Sequence, residues 1–493
     1  MIYNLSLLIL LPLGLSTLAF LARRHNKLNF AISLKVIFSC LILSIYLPIS
    51  SKIYSFELGF LTLKFMCDIY SYIFGILVNI VWMLTVIYSY SYNKICINRR
   101  KIIKFHRYLN LTIFAVLANG YCGDLTTLII FYFLMIIFTA PLIISKPSKS
   151  SIKAYLIYLQ THIFTTLIFF LPAILIIKFL KINDEFILNN SSILQEHRSL
   201  SAFLLVLFVF GIAKNCILPF HQWITRTTIA PTPISALLHS VAAVKSGSIA
   251  MIKIITYTFG LEYTRSLTDN FFTGGWIFYL LGSTAIYCAY RAYKTTKIKS
   301  RFAYSTISQL SYILSSILIA TKLSLMASML HIVSHSLCKI SLFFIAGIFS
   351  AIYQIHSTKE ASQIAPSIKF WIGCLTFCGA SIIGLPFLPG SFGKDYMLIS
   401  EFKSHHYSAL IFLVAGSIIN ILYIYPIFKA GFFPKQISSN SNSEILQHKI
   451  PLGKIPLGKI PLGMSSAIII SIIISIGFSI FINQIVNFFN ANF

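Results

Sequence analysis

Apolar stretches of about 20 residues, the length a helix needs to cross the hydrocarbon core of a bilayer, recur from one end of this 493-residue chain to the other. Such a chain has few folds open to it. Within lipid every backbone N–H and C=O must find its partner inside the protein, and a helix does this within one segment. The pattern predicts an all-α integral membrane protein of about 14 transmembrane helices. They fall near residues 2–22, 30–49, 69–92, 108–122, 125–145, 155–180, 201–220, 230–256, 274–290, 302–320, 323–350, 369–390, 407–428 and 465–490. With 57% hydrophobic residues, 10% charged residues and a mean hydropathy of +0.83, the composition excludes a soluble domain.

The formal net charge of +27 does not point to nucleic acid, because the basic residues sit between spans. Arg23, Arg24 and Lys27 follow the first span, Arg99 to Arg107 the third, and Lys146, Lys149 and Lys153 the fifth. Arg291 to Arg301 follow the ninth, and Lys429 and Lys435 the thirteenth. By the positive-inside rule these loops are cytoplasmic and both termini periplasmic. The acids Glu57, Asp68, Asp124, Asp184, Glu185, Glu196, Glu262 and Asp269 fall on the other side. The first span lacks a basic n-region and a small-residue cleavage site, so it reads as a helix and not a secretory signal. Nine cysteines form no CxxC or His/Cys cluster, and no Gly-rich phosphate loop opens a helix, so no metal, haem, iron–sulfur cluster or nucleotide cofactor is expected.

Against this apolar background three charged or titratable groups in 211–252 are costly. Lys214, His239 and Lys245 lie in predicted spans, where a charge at the bilayer centre costs ~2.5–3.5 kcal/mol on the insertion scale. They point to a protein interior or a water-filled path, and so to ion movement. Prolines break two spans: Pro219 follows Lys214 in the seventh, and Pro386 and Pro389 precede Lys394 in the twelfth. These are corresponding members of spans four to eight (108–256) and nine to thirteen (274–431), which suggests two inverted five-helix repeats with a transport site between them. Helices one to three occupy 1–107, a low-complexity cytoplasmic linker 432–464, and the last helix 465–493. The linker holds three KIPLG copies, which read as a tolerated repeat expansion or a docking motif.

On the eleventh span His331, His335 and Lys339 stand at i, i+4 and i+8, with Ser328 and Ser336 close by, forming one polar stripe. Two imidazoles and an amine joined by water carry protons. The alternative is three unrelated polar residues satisfying neighbouring carbonyls.

At the level of motifs the chain resembles the antiporter-like membrane subunits shared by respiratory complex I (NADH-quinone oxidoreductase) and Mrp-type cation/proton antiporters. The likeness runs through Lys214, PFHQW at 219–223, PTPISALLHS at 231–240, Lys245, YSTISQLSY at 304–312, HIVSHSLCKISLFF at 331–344 and GLPFLPGSFGK at 384–394. The resemblance implies Lys214 as the central lysine of the broken seventh helix and Lys245 as the lysine of the eighth. It implies Lys339 as the connecting lysine and Lys394 as the exit-side lysine of the broken twelfth, with His239, His331 and His335 as relay or water-organising groups. Lysines at 245 and 394 together look closer to the D-type Mrp protein. The implied function is proton translocation in a multisubunit antiporter, with Na+ or K+ as counter-ion, other membrane subunits and lipid as partners, and a bacterial inner membrane as location. Proton pumping within complex I is the alternative, with no redox centre in this chain.

One departure bears on this. Relatives usually carry a glutamate in the fifth span, in a context like Phe-Tyr-Glu-Leu, that pairs with the seventh-span lysine; here the stretch is Phe131-Tyr132-Phe133-Leu134. Asp124, nine residues away or ~13 Å along a helix, cannot substitute. A lysine buried without an opposite charge has its charged form disfavoured. Either the first half-channel works with such a lysine, or the chain is a transport-inactive scaffold relative.

Overall fold

The computed structural model describes residues 2–21, 26–59, 61–96, 99–144, 148–188, 192–361, 365–433 and 460–492. Most of the linker, including KIPLG residues 449–459, lies outside the described residues, as do Arg23, Arg24, Lys146 and Lys435. Apart from the short helices Ser192–Glu196, Leu261–Asp269 and Thr358–Ala361, the helices are α1 (Ile2–Leu21), α2 (Asn26–Tyr46), α3 (Ile69–Cys96), α4 (Arg99–Gly120), α5 (Leu125–Ile143), α6 (Lys149–Phe179), α7 (Arg198–Gly211), α8 (Gln222–Arg226) and α9 (Thr232–Phe259). After them come α10 (Phe271–Lys294), α11 (Ile298–Leu318), α12 (Lys322–Ala351), α13 (Ala365–Ile383), α14 (Pro389–Lys403), α15 (Tyr407–Phe432), α16 (Leu462–Ile480) and α17 (Ile482–Asn492). Among the described residues nine helices are long and apolar enough to cross a membrane, and Tyr3–Thr17, Arg198–Gly211 and Ile368–Ile383 are shorter apolar helices.

Burial separates the central helices from the peripheral ones. The most apolar window of α9 is 100% buried and that of α12 is 94% buried, against 33% for α15 and α16, so α9 and α12 form the centre. Helix α11, buried along most of its length, carries serines at 305, 308, 311, 315 and 316. Ser311 returns its hydroxyl to the carbonyl of Ile307, 3.1 Å away, which satisfies it without a partner helix.

Two features differ from the sequence expectation. The chain is not wholly α: β1 (Ser50–Leu58) and β2 (Leu61–Cys67) form an antiparallel hairpin with Phe56 opposite Leu63 and Tyr54 opposite Phe65. Its docking explains why it forms: Met66 donates its N–H to the Tyr121 carbonyl at 2.8 Å and Gly123 donates to the Lys64 carbonyl at 2.7 Å. These long-range backbone bonds leave no mark on hydropathy. Lys64 reaches Glu185 at 2.7 Å, and that hydrogen-bonded carboxylate holds its ammonium above the usual lysine range. The second difference is that the basic clusters expected in loops belong to helix ends. Arg99 begins α4, and Arg291 and Lys294 lie in the last turn of α10, where cations complement the carbonyl end of the helix.

Candidate functional site

Helix α7 stops at Gly211, a single 3-10 turn spans Ala213–Asn215, and helix resumes at Gln222 beyond Pro219. Lys214 sits in this break, fully buried. Its Nζ lies 3.6 Å from the centre of the Tyr132 ring and 3.4 Å from the Tyr132 carbonyl oxygen. A desolvated cation over an aromatic face gains ~2 kcal/mol or more. Gly247 of α9 abuts the break so closely that an added Cβ would meet the Lys214 Cβ at 2.8 Å, so only glycine permits this approach.

Phe133, where the resemblance led to the expectation of a glutamate, does not face Lys214: it is 39% exposed on the outside of the bundle, and its neighbour Tyr132 is fully buried. Successive helical residues differ by about 100° in direction, so the two cannot share a face. Phe133→Glu is therefore expected not to pair with Lys214. In a double-mutant cycle with Lys214→Met, read by thermal unfolding, the two changes should add to within about 0.5 kcal/mol. Coupling well above that would mean that α5 turns its other face inward.

Around Lys214 lies a residue the sequence reading passed over. His162 is fully buried, its ring 4.5 Å from Tyr158 and 4.6 Å from Trp223, and neither ring nitrogen has a protein partner. Its only sequence signal was a lone histidine in an apolar run.

The middle of the site is α9. Its turn Leu238–Ala242 is π-helical and carries His239, whose ring stacks on Phe343 at 4.5 Å while both nitrogens lack a protein partner. Such turns recur at functional sites. Lys245 follows, fully buried, with no hydrogen bond to its Nζ. Ser336 of α12 donates to the Ser240 carbonyl at 2.9 Å and ties the two helices together.

On α12, His331 and His335 have ring centres 5.9 Å apart, and His331 Nε2 meets Gln309 Oε1 of α11 at 3.0 Å. Neither nitrogen of His335 has a protein partner, and this ring lies within electrostatic reach of Lys245, Lys339 and Lys394. Lys339 donates to the Phe302 carbonyl and to Ser305 Oγ, each at 3.0 Å. Beyond α13 the chain opens at Gly384, whose φ of +96° suits glycine, and Pro389 begins α14 at the position that needs no N–H donor. Lys394 donates to the Ile383 carbonyl at 2.8 Å and to Ser417 Oγ at 2.9 Å, so it caps the carbonyl end of the broken helix.

The four site lysines thus share one property. Among the described residues none has a carboxylate within 4 Å, and three of the four lean on backbone carbonyls instead. Carbonyl dipoles lessen the cost of the buried charge without cancelling it. Buried polar atoms without protein partners, as on His239, Lys245 and His335, call for water. Two further buried acids were absent from the sequence expectation as site groups. Glu401 of α14 keeps Oε2 without a partner, and Asp68 faces Lys253 at 3.8 Å. Among the described residues no group of three or more His, Cys, Asp or Glu is arranged to hold a metal ion.

Residues 122–420, which contain all four site lysines and the histidines around them, match the family model described as NADH:quinone oxidoreductase/Mrp antiporter, TM. The chain belongs to this family. Family relatives include the D component of the Na(+)/H(+) antiporter of Alkalihalophilus pseudofirmus, 24% identical over 439 residues that cover 87% of this chain and 86% of that protein. The L component of the NADH-quinone oxidoreductase of Campylobacter jejuni is 27% identical over 241 residues, 48% of this chain and only 38% of that protein. The same fold occurs in a chain of the Mrp complex from Dietzia sp. DQ12-45-1b, with a TM-score of 0.80 at 14% identity, covering 100% of this chain and 97% of that one. This member of the NADH:quinone oxidoreductase/Mrp antiporter family is therefore a multi-pass membrane protein of the antiporter-subunit type.

Proposed function

We propose that this chain is the proton-translocating, D-like component of a multisubunit monovalent cation/proton antiporter in a bacterial inner membrane. Protons pass along Lys214, Lys245, Lys339 and Lys394, with His239, His331 and His335 and water between them, and a cation such as Na+ or K+ moves the other way in the assembled complex. The fold that serves this is about 14 transmembrane helices with both termini periplasmic, built on two inverted five-helix repeats, 108–256 and 274–431, each with its fourth helix broken, at Pro219 and at Pro386–Pro389. The observation that carries the reading is the set of buried lysines, without a carboxylate within 4 Å among the described residues, accompanied by His239 and His335, whose ring nitrogens have no protein partner. Static structure has no use for such groups, since each costs desolvation, whereas a proton carrier needs groups that gain and lose charge. The near full-length likeness to the D component of an antiporter favours the Mrp reading over proton pumping in complex I.

A second reading, a transport-inactive scaffold, is favoured by one observation: Lys214 packs on the Tyr132 ring with no carboxylate within 4 Å among the described residues. Proton flux in everted vesicles, followed by a pH-sensitive dye on adding Na+ or K+, separates the two. The chain expressed with its partner subunits is expected to give cation-dependent flux, and Lys394→Ala to abolish it with the complex assembled. No flux from an intact wild-type complex selects the scaffold. Loss of assembly in Lys394→Ala would make that lysine structural, the cap of α13.

A further inference from the structure

On the face where the basic residues gather, a cavity of about 820 Å3 opens between the start of α6, the end of α8, the start of α11 and the end of α12. Four cationic side chains line it, Lys153, Arg226, Lys297 and Lys299, and no Asp or Glu does. Among the described residues none of the four has a carboxylate within 4 Å. Glu360, on the bordering chain, does not line the cavity. It accepts the backbone N–H groups of His356 and Ser357 at 2.7 and 3.1 Å, which holds its carboxyl below the usual range.

We propose that this crevice binds the phosphate headgroup of an anionic phospholipid. Four cations gathered without acids, three of them exposed at the mouth, attract an anion, and at the level where membrane helices begin the abundant anion is lipid phosphate. The hydroxyls of Ser150 and Ser300 add donors beside the cations. The volume falls within the roughly 300–1,000 Å3 of small-molecule sites. The inner wall turns apolar at Ile143, Ala346 and Ile355, and Ile152 and Leu156, 45% and 46% exposed, flank Lys153 on the outer surface of α6. Polar donors beside an apolar wall match a headgroup with its glycerol and acyl carbons better than they match a free ion. A cation mouth is excluded by like charge, and the KIPLG linker, with Lys449, Lys454 and Lys459, is too basic to fill the site.

The test uses the full chain purified with its membrane partner subunits and measures bound lipid by mass spectrometry after titration with phosphatidylglycerol or phosphatidylcholine. The wild type is expected to retain phosphatidylglycerol preferentially. K153Q/R226Q and K297Q/K299Q are each expected to weaken that binding by about thirtyfold, from about fivefold per cation, and K297R/K299R to keep it. The two independent pairs guard against one variant failing to fold. Equal retention of both lipids, or unchanged binding in both neutralised pairs, overturns the proposal. Full displacement by millimolar inorganic phosphate assigns the site to free phosphate and overturns the lipid.

Discussion

Lys339→Ala is expected to abolish cation-dependent proton flux in everted vesicles while the complex still assembles. The loss of hydrogen bonding is small, because the Phe302 carbonyl that Lys339 leans on also accepts the Thr306 hydroxyl at 3.0 Å, and Ser305 keeps a rotatable hydroxyl. One such hydrogen bond is worth about 1 kcal/mol net. The functional loss is large, because Lys339 is the amine on α12 beside His335 and in electrostatic contact with Lys245. Lys339→Arg sharpens the test. Guanidinium keeps the charge and does not release its proton, so the arginine variant is expected to be as inactive as the alanine one. Full flux with arginine would show that position 339 supplies charge and not protons.

The largest loss of stability is expected from Asp68→Ala. Asp68 is 4% exposed and receives the Ser71 N–H at 2.8 Å, the Ser71 hydroxyl, the Tyr257 hydroxyl at 3.0 Å, and Lys253 at 3.8 Å. Removing it leaves Lys253 fully buried with, as hydrogen-bond partner among the described residues, the Cys122 carbonyl 2.7 Å away. Orphaning one member of a buried pair costs roughly 3–5 kcal/mol. Lys253→Met should cost less, since Asp68 keeps three donors. A thermal-shift series in detergent is expected to rank wild type above Lys253→Met and that above Asp68→Ala. The reverse order of the two variants would mean that Lys253, and not Asp68, anchors the cluster.

The site lysines and histidines stood out in the sequence because a charged or titratable residue in an apolar run is costly wherever it falls, and the breaks stood out because proline and glycine act locally. What escaped was tertiary. Nothing in FYFL says whether Tyr132 or Phe133 points inward, since an apolar helix lacks the polar face that would fix its rotation. Asp68 and Lys253 lie 185 residues apart and meet only when α3 and α9 pack, and Glu401 looks like any acid near a helix end until its burial is known. The hairpin formed by β1 and β2 is held by backbone bonds to 121–123, which hydropathy does not register.

The π-helical turn at Leu238–Ala242 sets the rotational phase of everything after it. A residue in an α-helix advances by about 100°, and a π turn accommodates one residue more than its α counterpart. If those five residues relaxed to α geometry with Thr232–Leu237 held fixed, Lys245 would swing by about 100° around the helix axis, away from the side on which Asn215 and Ser248 now meet at 3.4 Å. The direction in which the Lys245 ammonium points is thus governed by a backbone winding one turn away, independent of any change in the side chains around it.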